Sequence, residues 1–162
     1  MPGRIIAFPP VAPPNARTLI LGSMPSVESL RQGFYYAHPR NAFWPMLAEI
    51  FGEPTPADIP GKIALLERHD LALWDALHAC EREGSLDSAI REPEANDFGA
   101  LFECCPRIGR ILFNGGTAEH MFMKYCGEWS AGRRCARMPS TSPAYTIPYE
   151  RKLALWRGAL TP

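Results

Sequence analysis

Short apolar runs that end in glycine or a turn residue alternate along this chain with segments whose apolar positions recur every three or four residues. Arg17–Ser23 (RTLILGS) is one such run, the pattern of a buried strand. Leu71–Leu77 (LALWDAL) and Arg107–Gly116 (RIGRILFNGG) are two more. A short fourth strand is expected within Arg133–Ala144 (RRCARMPSTSPA), running into a hydroxyl-rich loop. Between the runs the period is helical. Phe43, Trp44, Leu47 and Ile50 stand about one turn apart, which predicts a helix from about Ala42 to Phe51. Pro45 fits only near its start, where a residue has no N–H partner to lose. Asn41 is then the candidate N-cap. Helices are also expected over Gly61–His69, over Thr117–Cys126 with Thr117 as its cap, and over Tyr149–Leu160, where Leu153 and Trp156 lie three apart. Strands separated by helices imply βαβ units and a mostly parallel sheet covered on both faces. Ligands lodge at the carboxyl ends of the strands in such sheets. Here those ends carry Gly22–Ser26 (GSMPS), the segment after Leu77, Asn114–Gly116 and Met138–Pro143 (MPSTSP).

Length and composition add bounds. A chain of 162 residues suits one domain with a sizeable core, residues 1–16 forming a proline-rich lead. The apolar fraction of 46% and charged fraction of 21% are those of a globular protein, and the 17 prolines fall mostly in turns. The N-terminus (MPGRIIAFPPVAPPNAR) is broken by prolines and does not read as a signal peptide. No stretch approaches the roughly 18 apolar residues of a membrane span. The five cysteines form no CxxC pair, so reduced thiols and a cytoplasmic location are the expectation. The net charge of zero conceals an asymmetry: 14 acidic and 8 basic residues up to Pro106, then 3 acidic and 9 basic from Arg107 onward. A basic third of this kind can meet a phosphate backbone, and it can equally be an ordinary solvated surface.

GxGxxG and the Walker pattern are absent, as are HExxH and GxSxG, so nucleotide-cofactor, metalloprotease and elbow-hydrolase sites have no support. The four histidines (His38, His69, His78, His120) are scattered. Asp75 is the one carboxylate inside an apolar run, where pairing with an arginine or with backbone amides would account for it. The segment Gly33–Leu47 (GFYYAHPRNAFWPML) is richer than a capped helix needs: Tyr35 and Tyr36 stand ahead of His38 and Pro39 with no local reason.

Four segments in order, spanning about residues 17 to 157, resemble the uracil-DNA glycosylase superfamily. LILGSMPS stands at its first motif, and ILFNGGTAE resembles its later strand–glycine–helix segment. GFYYAHPRNAFWPML is similar almost residue for residue to the mismatch-specific thymine/uracil branch, and RMPSTSPA stands at the second motif. Taken with CEREGSLDSAI (Cys80–Ile90), the set looks most like the hypoxanthine-DNA glycosylase branch. The resemblance implies a three-layer α/β/α fold and a monofunctional glycosylase that flips a deaminated base from DNA and hydrolyses its N-glycosidic bond. Hypoxanthine is the first expected substrate and uracil the second. It implies no metal or organic cofactor, DNA as the partner, and a monomer that is nucleoid-associated when bound.

Carried over by position, Tyr36 is the stacking residue for the extruded base, and Asn41 is the catalytic residue that holds the attacking water. Gly22, Ser23 and Met24, with Ser26, would line the base pocket, and Trp74 lies near a base-reading position. Ser140, Thr141 and Ser142 would contact a phosphate, with charge from Arg133, Arg134 and Arg137. Asn114 is a candidate either to read the base or to make a turn with Gly115, the turn being preferred, and Ser85 and Ser88 lie where relatives touch the DNA backbone. The sequence departs from the superfamily at two places. Met24 stands where many branches orient water with Asp or Asn, and Met138 replaces the second-motif histidine. Those departures keep open a catalytically silent binder of damaged or single-stranded DNA. A hydrolase of free nucleosides is a third reading. The lysines Lys62, Lys124 and Lys152 all fall on predicted helices, which leaves no evident lysine nucleophile.

Overall fold

Thr18–Gly22 (β2) is buried at every residue, and so is Leu71–Asp75 (β3), which pairs with it in parallel from Thr18–Leu71 to Gly22–Asp75. A strand covered on both faces reads as a near-continuous apolar run, which is why neither segment alternates. Arg110–Asn114 (β6) joins the other side of β2, and Arg134–Met138 (β7) closes the row, giving a parallel four-stranded sheet in the order β3-β2-β6-β7. The computed structural model describes residues 3–161. With the helices that flank this sheet, the architecture is the expected α/β/α arrangement.

The helices are Val27–Gln32 (α1), Phe43–Phe51 (α2), Ile59–Arg68 (α3), Phe98–Cys104 (α4), Gly116–Cys126 (α5) and Tyr149–Leu160 (α6). Ser26 caps α1 by accepting from Ser29 N, and Asp58 caps α3 by accepting from Gly61 N at 2.8 Å. Thr117 is not the cap expected of it. Helix α5 starts one residue earlier, with Gly115 at the cap, so Thr117 sits inside the first turn. Among the described residues, no helix is long and apolar enough to cross a membrane.

The apolar run expected to be one strand over Leu71–Leu77 serves two sheets. At Ala76, whose N donates to Gly22 O, the chain leaves β3 and enters Leu77–Glu81 (β4). Strand β4 lies between Arg4–Ile6 (β1) and Arg91–Ala95 (β5) in a small antiparallel sheet. No sequence pattern announces β1 or β5, because REPEA and RII are partly or fully exposed edge strands with little apolar alternation to read.

The closing helix ties the core to the second-motif loop. Trp156 is fully buried, and its indole Nε1 donates to Pro139 O at 2.9 Å. Lys152, one turn earlier, is also buried and donates from Nζ to Ser142 O at 3.1 Å. Replacing Trp156 by Phe keeps an aromatic ring but leaves the Pro139 carbonyl without its donor. A loss of about 1–3 kcal/mol is expected, read as a lower midpoint in urea unfolding at unchanged slope.

Candidate active site

Four of the carboxyl ends of the strands converge on a cavity of about 330 Å³. Its wall is built from Gly22–Ser26 after β2, from Tyr35, Tyr36 and Asn41, from Asp75, from the turn at Ser85–Asp87, and from Asn114–Thr117 and Ser140–Ser142. A volume of this order suits one small ligand.

The paired tyrosines divide their work. Tyr35 faces the core, where its hydroxyl donates to Pro9 O at 2.7 Å and its ring meets Phe8 edge-on. Tyr36 has φ 53°, in the left-handed region that a bulky residue rarely adopts. That reversal sends its ring into the cavity wall, 4.3 Å from the ring of Phe43. Its hydroxyl is buried with no hydrogen-bond partner among the described residues.

Asn41 lies two residues before α2. Its Oδ1 accepts from Phe43 N at 3.0 Å, and Ala42 takes the N-cap position. The capping expected of Asn41 is thus present in altered form, as an Asx turn that satisfies one orphan amide from just outside the helix. The Phe43 donor fixes which end of the amide is oxygen, since a flipped NH₂ would face another N–H. A second lone pair on Oδ1 remains available to the cavity.

The second-motif loop is held by a side chain. Asn114 donates from Nδ2 to Thr141 Oγ1 at 3.0 Å and accepts from Thr141 N at 2.9 Å. Thr141 O in turn accepts from Ala42 N at 3.0 Å, which ties this loop to the Asn41 segment. Asn114 therefore does more than turn the chain. Gly115 has φ 97°, and a Cβ there would lie 3.2 Å from Ser140 Cβ, so the close approach of the two loops requires glycine. Ser140 Oγ accepts from Ser142 N, and Ser142 Oγ from Ala144 N, which leaves the hydroxyl protons of both directed by whatever binds there. Thr141 is buried, its oxygen engaged with Asn114.

The cavity mouth is spanned by the segment after β4. Ser23 Oγ donates to Asp87 Oδ1 at 2.8 Å, and Val27 N donates to Ser85 Oγ at 2.8 Å. Arg82 is buried beneath this span, donating to Gly84 O and Pro25 O. Leu86 and Tyr145 line the mouth and are 65% and 45% exposed. Sequence reasoning passed over both.

Asp75 is the buried carboxyl of the site. It is 3% exposed, and burial pushes its carboxyl up to about 7, with repulsion from Asp87 adding to the rise and Arg82 opposing it. Burial also raises the phenols of Tyr35 and Tyr36, and the nearby Asp75 charge raises them further. No arginine pairs with Asp75 among the described residues, and its Oδ2 has no partner.

Three residues singled out from the sequence are elsewhere. Trp74 precedes Asp75 and points to the other face of its strand. Its indole donates to Phe8 O, its ring packs on Phe98, and it lines a second, more apolar cavity of about 430 Å³ that also includes His78 and Asn96. Arg133 stacks over the Phe102 ring at 3.7 Å and donates to Ile108 O and Trp129 O. Arg134 starts β7, opposite Arg110, at the far end of the sheet from Met138. Four residues of strand put it roughly 13 Å from the site. The arginine at the site is Arg137, exposed and packed against Gly116, where a Cβ would lie 2.9 Å from its Nη1.

The chain is similar to several known proteins. A family model described as the uracil DNA glycosylase superfamily matches residues 9–159. A hypoxanthine DNA glycosylase of Methanosarcina barkeri (strain Fusaro / DSM 804) is 40% identical over 109 residues, 67% of this chain and 69% of that protein. One from Methanosarcina acetivorans is 42% identical over 112 residues, 68% of this chain and 71% of that protein. The solution NMR structure of a candidate uracil DNA glycosylase from M. acetivorans superposes with a TM-score of 0.84 at 33% identity, covering 98% of this chain and 97% of that one.

Two outcomes are expected from the packing at the cavity floor. A Cβ on Gly22 would lie 2.5 Å from Asp75 Oδ1 and 2.8 Å from Tyr36 Oη, so Gly22→Ala should destabilise the fold by about 1–3 kcal/mol in denaturant titration. The second concerns pH. The carboxyl of Asp75 holds its proton up to about 7 when folded, against 3.8 ordinarily, so the folded state binds more protons between those values and stability falls as pH rises through them. The decline attributable to Asp75 is on the order of 4 kcal/mol, and it should be missing from the unfolding free energies of Asp75→Asn measured over the same window.

Proposed function

The chain belongs to the uracil DNA glycosylase superfamily, and we propose that it removes hypoxanthine from DNA, with uracil a secondary substrate. It is a DNA glycosylase, a hydrolase of N-glycosyl bonds that opens base excision repair. The observation that carries the proposal is the convergence of Tyr36, Asn41 and the Ser140–Ser142 loop on one cavity at the carboxyl ends of the strands.

In the proposed mechanism the damaged nucleotide turns out of the duplex and its base enters the cavity. Tyr36 stacks on the base, since its ring lies in the wall and is backed by Phe43. Exposed Leu86 and Tyr145 at the mouth suit the gap that extrusion leaves in the base stack. Ser140 and Ser142 hold a flanking phosphate through their hydroxyl donors, and Arg137 supplies nearby charge. Asn41 Oδ1 accepts from the attacking water with the lone pair that Phe43 N does not use. The amide is no base, so its contribution is to place the water in line with the anomeric carbon as the sugar becomes oxocarbenium-like. Met24 and Met138 are both buried and supply neither function. The lysines support single-step hydrolysis: Lys152 is committed to Ser142 O, Lys62 lies over Phe34 and Trp44, Lys124 over Tyr125, and none lines the cavity.

Duplexes carrying one deoxyinosine or one deoxyuridine, followed by alkali to cut abasic sites, test this directly. Wild type is expected to nick at inosine. Asn41→Ala should retain duplex binding and its fold while the rate drops by roughly a hundredfold or more. Retained binding without any nick by wild type would instead identify a silent binder of damaged DNA.

A further inference from the structure

Among the described residues, two buried polar atoms beside the cavity have no hydrogen-bond partner: Asp75 Oδ2 and the Tyr36 hydroxyl. Both come from side chains packed against Gly22, whose missing Cβ is what lets them approach each other. The fold does not depend on the Asp75 carboxyl for a bond. What the fold uses is the backbone, with Asp75 O accepting from Asn96 Nδ2 at 2.7 Å and Gly22 facing Asp75 across the β2–β3 pair. A buried, unpartnered carboxyl is costly to keep, and such groups concentrate where a ligand completes them.

We infer that Asp75 is the general acid of the reaction, delivering its carboxyl proton to a ring nitrogen of the departing purine. The inference rests on the reading of this cavity as the site of the extruded base. As the C1′–N9 bond breaks, its electron pair passes to the base. The Asp75 proton goes to a lone pair on N7 or N3, and hypoxanthine leaves neutral. The water held at Asn41 forms the new C1′–O bond and sheds one proton to solvent. Solvent then returns a proton to the Asp75 carboxylate, so one water is consumed for each base released. A purine offers such ring lone pairs away from the glycosidic nitrogen, and an acid in place to use them favours purine over pyrimidine release.

The surroundings keep the proton available. Burial is the largest influence holding the carboxyl protonated near neutrality, the exposed Asp87 at the mouth adds to it, and the Arg82 guanidinium works against it. The remaining titratable groups facing Asp75 are the phenols of Tyr35 and Tyr36, which burial keeps neutral. An acid whose ionisation lies close to the working pH is well matched to proton transfer in the transition state.

Single-turnover cleavage of a deoxyinosine duplex, followed across pH on both sides of neutrality, tests the assignment. The acid form is the active one, so the wild-type rate should hold at lower pH and fall about tenfold per pH unit above roughly 7. Asp75→Asn, close in shape but without a proton of this kind, should be slower by about 10²–10⁴-fold and lose that falling limb. Its binding to the inosine duplex should stay within about twofold, which separates proton delivery from simple loss of the site. Wild type that cuts inosine with no falling limb, or with a rate that rises through neutrality, overturns the assignment without reference to any variant. So does an Asn variant that keeps the rate or the limb. Wild type that cuts inosine at no pH overturns both this and the reading on which it rests.

Discussion

The space between Gly22, Asp75 and Tyr36 admits no Cβ, and the site follows from that crowding. Three chain segments meet there: the end of β2, the end of β3 and the loop before α2. Because position 22 has no side chain, the carboxyl and the phenol can both reach the cavity floor. The same approach places a carboxyl where water cannot solvate it, and loss of solvation is the largest cause of its raised ionisation. One residue's absence of a side chain thus sets both the shape of the cavity and the protonation state within it. The left-handed backbone of Tyr36 belongs to the same arrangement: a strained torsion persists where surrounding contacts over-determine it, here Phe43 beside the ring and Tyr35 anchored behind it.

The loops around the cavity are irregular, yet few of their turns are left to chance. Asn114 clamps Thr141 at both its N–H and its hydroxyl, and Thr141 O takes the amide of Ala42 next to Asn41. Trp156 and Lys152 secure the same loop from α6 through Pro139 and Ser142. A loop held from the sheet, from a neighbouring loop and from a helix is pre-organised, and positioning is what a site without a strong base must rely on. The two methionines fit this picture. Met24 lines the cavity and Met138 is buried in the core, so polarity at the site comes from Asn41, Asp75 and the serine-rich turns.

Charge is distributed less simply than a basic C-terminal third suggests. Arg133 is occupied by Phe102 and two backbone carbonyls, and Arg134 stands at the opposite end of the sheet. Of the three clustered arginines, Arg137 is the one beside the cavity, on the last turn of strand before Met138. Among the described residues, no lysine or arginine lines the cavity, and Asp87 adds negative charge at its mouth, so the interior is not a phosphate-binding pocket. In the proposed mechanism, attraction for a nucleic acid backbone falls to the rim and reading of the base to the floor.

Much of the fold was legible because the parallel sheet is made of apolar runs bounded by turn residues. RTLILGS, RIGRILFNGG and the helix over Tyr149–Leu160 can be placed from spacing alone. So could the location of the site, since the ends of those strands carry the glycines, serines and asparagines that apolar packing does not need. Asn41 and Tyr36 were legible through their place in a motif. What the sequence could not reveal is direction. Trp74 and Asp75 are adjacent, and strand geometry sends one to a hydrophobic pocket and the other to the cavity floor, which no composition rule distinguishes. Arg134 and Arg137 are three residues apart on one strand, and the length of that strand decides which reaches the site. Asp75 in an apolar run reads as paired with an arginine or with backbone amides, and only the folded chain leaves its Oδ2 without a partner among the described residues. Local patterns report which residues are buried, because burial is paid for residue by residue. Which buried groups face one another depends on contacts between Gly22, Tyr36, Asp75 and Asn114 that lie far apart along the chain, and these exist only once the strands are in register.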